Sequence, residues 1–277
     1  MSKTKAVTIS EEQIAELNAA YPLAEESNRL QLPRLGMLSK DLTETIGSGK
    51  SKQIKVIQAS GTFYTEKDEG EVDEDGKKVW TKTFIDGEEI EGMITFHRYQ
   101  LRRYDASLEK FYSTPIYDLP TQTLPLYLDK QIVMRGTQQE LQDKYPKLSQ
   151  KGKKTSDLKK YVILYVLYKG EMYQMNPSVS SGWAFDAYKR KINPSTVITT
   201  IGSVEETFGD NTYRKMTFTN KRLINADDEF ALVKESQSTL RDVVESDQKY
   251  LSTQSAAQIE SAKGDAELDE MVKNAKM

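Results

Sequence analysis

Apolar residues crowd most tightly at 161–168, where YVILYVLY sets eight apolar or aromatic side chains in a row behind Lys159 and Lys160. A run of that length, rich in Val, Ile and Tyr, predicts a strand buried on both faces and is too short for a membrane span. After it come EMYQM, a polar break at NPSVSS, and a short helix through GWAFDAYKRKI with Ser180 or Ser181 as N-cap. A strand at STVITTI and a hairpin turned at Phe208-Gly209-Asp210-Asn211 into YRKMTFTNKRLI complete a compact strand–helix–strand unit. Upstream, residues 54–104 read as a β-meander, with turn signals at Asp75-Gly76 and Asp86-Gly87. Its last strand, GMITFHRYQLRRYD, alternates. Phe96, Arg98, Gln100, Arg102 and Tyr104 share one face, and Met93, Thr95, His97, Tyr99, Leu101 and Arg103 the other.

Helical spacing appears at both ends. Residues 8–20 offer a capping box (Ser10 with Gln13) and a staple between Ile9 and Ile14, stopped by Tyr21-Pro22. Residues 23–53 read as a long irregular arm anchored by Leu30, Leu32, Leu35 and Leu38. Pro115, Pro120 and Pro125 mark loop and edge; PLYLDKQIVMRG predicts a strand, and GTQQELQDKYP a short helix with Thr137 as N-cap. Residues 227–250 form the clearest helix, capped by Asp227 and Asp228, with Phe230, Val233, Leu240, Val243 and Val244 as its apolar stripe. From Ser252 the chain turns small and charged, the composition of a weakly helical or disordered tail. The expected class is β-rich α+β: an OB-like barrel or meander core with an N-terminal helix, a helix between core strands and a C-terminal helix. Three segments follow: helix and arm at 1–53, core domain at 54–223, and helix with acidic tail at 224–277.

Charge sharpens this picture. The net charge of −3 is unevenly spread: residues 224–277 carry twelve acids against six bases, which leaves 1–223 at +3. Within 1–223, the stretch 66–75 holds seven acids and one lysine, so the rest of that body stands near +9. Such segregation fits a polyanion-binding body with an acidic tail, and equally a solvated surface with uneven blocks. The loop KLSQKGKKTSDLKK carries six lysines and one aspartate, as a phosphate clamp or a solvated connector. On the strand at 93–104, cations interleaved with aromatics suit single-stranded nucleic acid, because rings stack bases while arginine meets phosphate. The plainer alternative is a half-exposed strand whose arginines pair with nearby glutamates.

Several chemistries are set aside. The chain has no cysteine and one histidine, which argues against a zinc site and thiolate chemistry. GSGKSK is not a phosphate loop, since Glu44 stands where that pattern needs its first glycine. The acidic tip at Glu71, Asp73, Asp75 and Gly76 mimics a calcium loop, but its last ligand position holds Lys82. His97 has no nucleophile motif beside it and reads as a packed or surface histidine. A non-enzymatic protein without cofactor or metal is expected, in the cytoplasm, with no membrane association. MSKTKAVTISEEQ shows no secretory signal.

YVILYVLYKGEMYQMNPSVSSGWAFDAYKRKI, with the later VITTIGSVEETFGDNTYRKMTFTNKRLI, resembles the core of bacteriophage single-stranded DNA-binding proteins with an OB-type barrel, over residues 159–223. The resemblance implies DNA binding on the barrel face in replication or recombination, with partner proteins contacted through the C-terminal region. Carried over by role, Arg98, Arg102 and Arg103 would hold phosphates with Lys153, Lys154, Lys159 and Lys160. Tyr99 and Tyr104 would stack bases, and Trp183 would join them or pack instead. The chain departs from the family at its end, where Asn274-Ala275-Lys276-Met277 replaces an aromatic terminus. The alternative from another class is a phage structural or assembly protein, a tail or baseplate component self-associating through 227–250. A small-ligand-binding barrel is the third.

Overall fold

The apolar run at 161–168 lies in the middle of a large mixed sheet. In this computed structural model the described residues are 32–46, 52–74, 78–128, 131–149, 152–209, 211–225 and 228–245. Residues 32–240 form one compact unit; a second joins 1–31 with 241–277, of which 241–245 are described, as helix. The helix expected at 8–20 and the tail from Ser252 lie outside the described residues.

The strands are β1 (Arg34–Met37), β2 (Leu42–Ile46), β3 (Gln53–Gln58), β4 (Phe63–Val72), β5 (Lys78–Phe84), β6 (Glu89–Asp105), β7 (Lys110–Ser113) and β8 (Leu124–Leu128). They continue as β9 (Gln131–Gly136), β10 (Pro146–Leu148), β11 (Lys154–Ser156), β12 (Lys159–Tyr168), β13 (Glu171–Met175), β14 (Val197–Phe208) and β15 (Asn211–Leu223). The helices are α1 (Gln138–Asp143), α2 (Val179–Lys189) and α3 (residues 228–245). The main sheet runs β5-β4-β1-β13-β12-β6-β7-β8-β9, with β14 on β6 and β15 on β14. Its pairs are antiparallel except β1 beside β13.

Strand β6 changes partner along its length: 89–92 pair with β14, 93–102 with β12, and 102–105 with β7. Gly92 stands at the first change. A Cβ there would lie 2.9 Å from Val166 Cγ1 and 3.0 Å from the Leu167 carbonyl oxygen, so only glycine lets the chains pass so closely. Val162, Leu164, Val166 and Tyr168 of β12 point to an inner face and its main core. Ile163 and Tyr165 point to an outer face under Leu240 of α3, while Leu167, Met93 and Ile198 pack with Val233. The run is thus buried on both faces, each such aliphatic side chain contributing about 1.5–3 kcal/mol. Helix α2 closes the inner face with Phe185 and Tyr188. Its N-cap is Ser178, ahead of the expected Ser180 or Ser181; the Ser181 hydroxyl instead accepts from the Met216 N–H at 2.9 Å.

Other expectations shift for local reasons. The alternation of β6 slips where β12 passes from Tyr165 to Val166: Thr95 is the extra residue, so Met93 turns outward with Leu167. The stretch read as an irregular arm carries β1, inserted between β13 and β4 with Leu35 fully buried. It also carries β2, which pairs with β3 as a two-stranded ribbon exposing Leu42, Ile46, Ile54, Val56 and Ile57. Thr137 caps α1 as expected, and Glu140 completes a capping box that the sequence reading did not include. The side-chain oxygen of Asn225 accepts from the N–H groups of Asp228 and Glu229, 3.0 Å each, at the start of α3. Arg222 grips the Glu229 carboxylate with two bonds, and that contact, aided by the Asn225 N–H, holds its pKa down to about 2. The chain is β-rich α+β. Its strands do not close into a barrel, because β13 pairs with β12 and β1 while β15 pairs with β14 alone. Among the described residues no helix is long and apolar enough to cross a membrane.

Candidate nucleic-acid interface

Where β6, β7 and β12 run together, the outer face is open. Register places Arg102 opposite both Lys159 and Ser113, Tyr104 opposite Phe111, and Gln100 opposite Tyr161, so these side chains share that face. Tyr104 and Phe111 are about half exposed, with ring centroids 4.9 Å apart. The Arg102 guanidinium lies 5.5 Å from the Phe111 ring and 5.7 Å from the Tyr161 ring. Cation–π contact holds it between rings of neighbouring strands while its charge stays at the surface. Among the described residues no carboxylate pairs with Arg102, and Lys159 donates to the Ser156 carbonyl rather than to an acid. The arrangement is a solvent-exposed cationic spot framed by rings. It can attract an anion and stack a planar group.

The other expected site residues are placed differently. Arg98 is 2% exposed; its Nε donates to Asp118 at 2.7 Å and its Nη2 to the Ile116 carbonyl at 3.1 Å. It ties the segment after β7 onto β6 and presents no charge to a phosphate. Tyr99 faces inward and is buried. Arg103, also inward, bonds Asp105 at 2.8 Å and Asp157 at 3.1 Å, with the rings of Tyr112 and Tyr145 at 5.2 and 5.1 Å. Lys160 pairs with Asp186 at 2.8 Å and sits 4.7 Å from the Tyr99 ring. Sequence alternation had separated Arg102 and Tyr104 from Tyr99 and Arg103; it had no means of showing that Arg98, on the favoured face, is covered by residues 114–118.

Lys153 and Lys154 are exposed beside and on the β10–β11 hairpin. Lys154 lines an open groove of about 610 Å³ with Gln139, Gln142, Lys147, Leu148 and Thr155. Lys147, which lines it too, is engaged by Asp157 at 2.9 Å. Trp183 is 66% exposed on α2, in the layer covering the inner face, so it is not part of the Arg102 surface. Phe111 and Tyr161 were missed. Phe111 lies beyond a turn that sequence spacing does not register, and Tyr161 is the first residue of a run whose other members are core.

Behind β6 lies a second polar cluster. His97 Nε2 stands 3.0 Å from Lys189 Nζ, which also donates to the Tyr99 hydroxyl and lies 3.1 Å from Asp186. Burial pushes the His97 pKa down to about 4, with Lys189 adding to the effect, so the ring is neutral. Burial pushes Asp186 up, but Lys160 and Lys189 outweigh it and hold the carboxyl below its usual range. Neutral imidazole, the two lysines, Asp186 and Tyr99 hold α2 onto the sheet. Among the described residues no group of three or more acids and histidines is placed to hold a metal. No family model, no curated protein and no solved structure matches the chain.

Proposed function

We propose that the protein binds single-stranded DNA, laid across Arg102, Tyr104, Phe111 and Tyr161 on the outer face, and serves replication or recombination. The observation that carries this reading is a guanidinium held between the rings of Phe111 and Tyr161 on adjoining strands, with no carboxylate partner among the described residues. Base–ring stacking contributes about 1–3 kcal/mol per base and tolerates any sequence. Lys159, opposite Arg102, adds a second positive charge on the same face. Strand order supports the same reading. A long β6, the β12–β13 hairpin, α2, and the β14–β15 hairpin returning to β6 follow the order of an OB-type core, a partly open barrel whose second and third strands commonly face oligonucleotides. Here β1 occupies the edge of β13 on which such a barrel would close.

A second reading, assembly, draws on the β2–β3 ribbon. A two-stranded hairpin with both faces in solvent is marginal alone, and Ile54 is 75% exposed. One experiment separates the two: fluorescence anisotropy of a labelled single-stranded oligonucleotide at rising salt, with particle size recorded on the same samples. The DNA reading expects tight binding at low salt and a logarithmic salt slope that Arg102→Ala reduces by about 0.7, the share of one phosphate. Arg98→Met should leave that slope unchanged. No binding at low salt, with particles larger than one chain, would replace DNA binding by assembly.

A further inference from the structure

The outer face continues beyond the Arg102 surface. One register row crosses the sheet from Phe96 through Tyr165, Gln174, Arg34 and Glu66 to Lys82. Around its far end, on β1, β4 and β5, the same pairing of cation and ring recurs. The Arg34 guanidinium lies 4.7 Å from the Trp80 ring, and the Lys82 ammonium 4.2 Å from the Tyr64 ring. Gly36 makes room for this: a Cβ there would fall 2.5 Å from Tyr64 Cζ, so the ring lies flat across β1. Glu66, only 18% exposed, accepts from Arg34 at 3.3 Å and stands 3.9 Å from Lys82, orienting both while cancelling one of the two charges. Both cations remain more than a third exposed.

We propose that Arg34, Trp80, Tyr64 and Lys82 form a second subsite for the same DNA strand, an inference that rests on the reading of the Arg102 surface given above. Its chemistry matches that surface: a guanidinium plane able to stack a base and a lysine for phosphate. The two subsites share one face but are not one track, since Leu240 of α3 covers Tyr165 and Ile163 between them. From β1 to β6 the separation is three strand spacings, about 14 Å, and from Phe96 to Arg102 about 20 Å along the strand. A short oligonucleotide therefore reaches one subsite, and a longer one spans both. Glu66 makes this the weaker of the two for phosphate, so stacking supplies most of its contribution.

The chain carries two tryptophans, so Trp183→Phe leaves Trp80 as the sole indole reporter. That variant is titrated with oligothymidylates of about 4 and about 16 nucleotides, the limits of common site sizes. The expected result is quenching of Trp80 emission that tracks binding of the longer strand. Arg34→Ala with Lys82→Ala should abolish the quenching and weaken the longer strand about tenfold, one stacked base's worth, with the shorter strand's affinity unchanged. If the longer strand binds, Trp80 emission stays constant and the double variant binds like its parent, the second subsite is wrong and the Arg102 reading stands. If quenching and the double-variant loss occur while Arg102→Ala and Tyr104→Ala change nothing, the Arg102 reading fails and the second subsite stands alone. If neither strand binds at low salt, both fall.

Discussion

His97 and Arg98 are neighbours with opposite roles from those their residue types advertise. The single histidine of the chain, a natural candidate for acid–base work, is held neutral by burial against Phe185 and by the adjacent Lys189. The guanidinium next to it is consumed in fixing residues 116–118. For His97 the consequence is a pH dependence of stability. Its folded pKa, about 4, lies below the ordinary histidine value of 6.5, so below pH 6.5 the unfolded chain takes up a proton that the folded chain refuses. The His97 contribution to stability is therefore unaffected above that value, falls as pH drops from 6.5 towards 4, and levels off below. The charges facing the ring are Lys189, Lys160, Asp186 and Asp118. His97→Gln keeps an acceptor for Lys189 and removes the titration. Urea midpoints of both proteins should differ by a constant amount near neutrality, and the difference should move against the wild type between pH 6.5 and 4. A gap that stays flat through that window would show that the ring is not desolvated.

At the scale of the element, β6 decides the architecture, and Gly92 decides β6. With a methyl group at 92, either Val166 or the Leu167 backbone must retreat at the point where the strand leaves β14 for β12. Gly92→Ala is expected to lower stability by about 1–3 kcal/mol, the range for overpacking a tight site. Chemical denaturation measures it, and an unchanged or higher midpoint would mean the crossing is loose. The same strand shows what sequence pattern conveys. Period 2 assigns every side chain correctly from Phe96 to Tyr104, because a regular ladder fixes orientation. It fails at Met93, because a bulge leaves no mark in composition. The doubly buried β12, the β14–β15 hairpin and the Thr137 N-cap were legible for the same reason: each is dictated by residues close in sequence. Strand β1 was not. Its RLGM buries Leu35 alone in the core, and its partners on β13 and β4 are distant along the chain. The candidate site divides the same way. Arg102 and Tyr104 followed from alternation, whereas Phe111 and Tyr161 joined them only through pairing between strands.

At the scale of the whole molecule, the outer face of the sheet is shared between a covering helix and the two cation–aromatic surfaces. From Val233, packed on Met93 and Leu167, to Leu240, packed on Ile163 and Tyr165, α3 follows β12 towards the strand's N-terminal end. Without it the central strand would be open on one side, so α3 belongs to the fold and is more than an appendage. Its start is fixed by Arg222 of β15 gripping Glu229, and its middle by a narrow stripe; Phe230, read from sequence as part of that stripe, is half exposed beside Lys234. The stripe was legible as helical spacing, but which of its members meet the sheet depends on the helix's rotation, which sequence does not encode. Leu240→Ala opens space directly over Ile163 and Tyr165 and should cost about 2–4 kcal/mol. Phe230→Ala should stay within about 0.5 kcal/mol of wild type, as exposed substitutions do. Urea denaturation of the two variants checks the pair. Equal losses would mean that α3 turns a different face to the sheet, and that the ground between the two proposed DNA contacts is not covered as Leu240 requires.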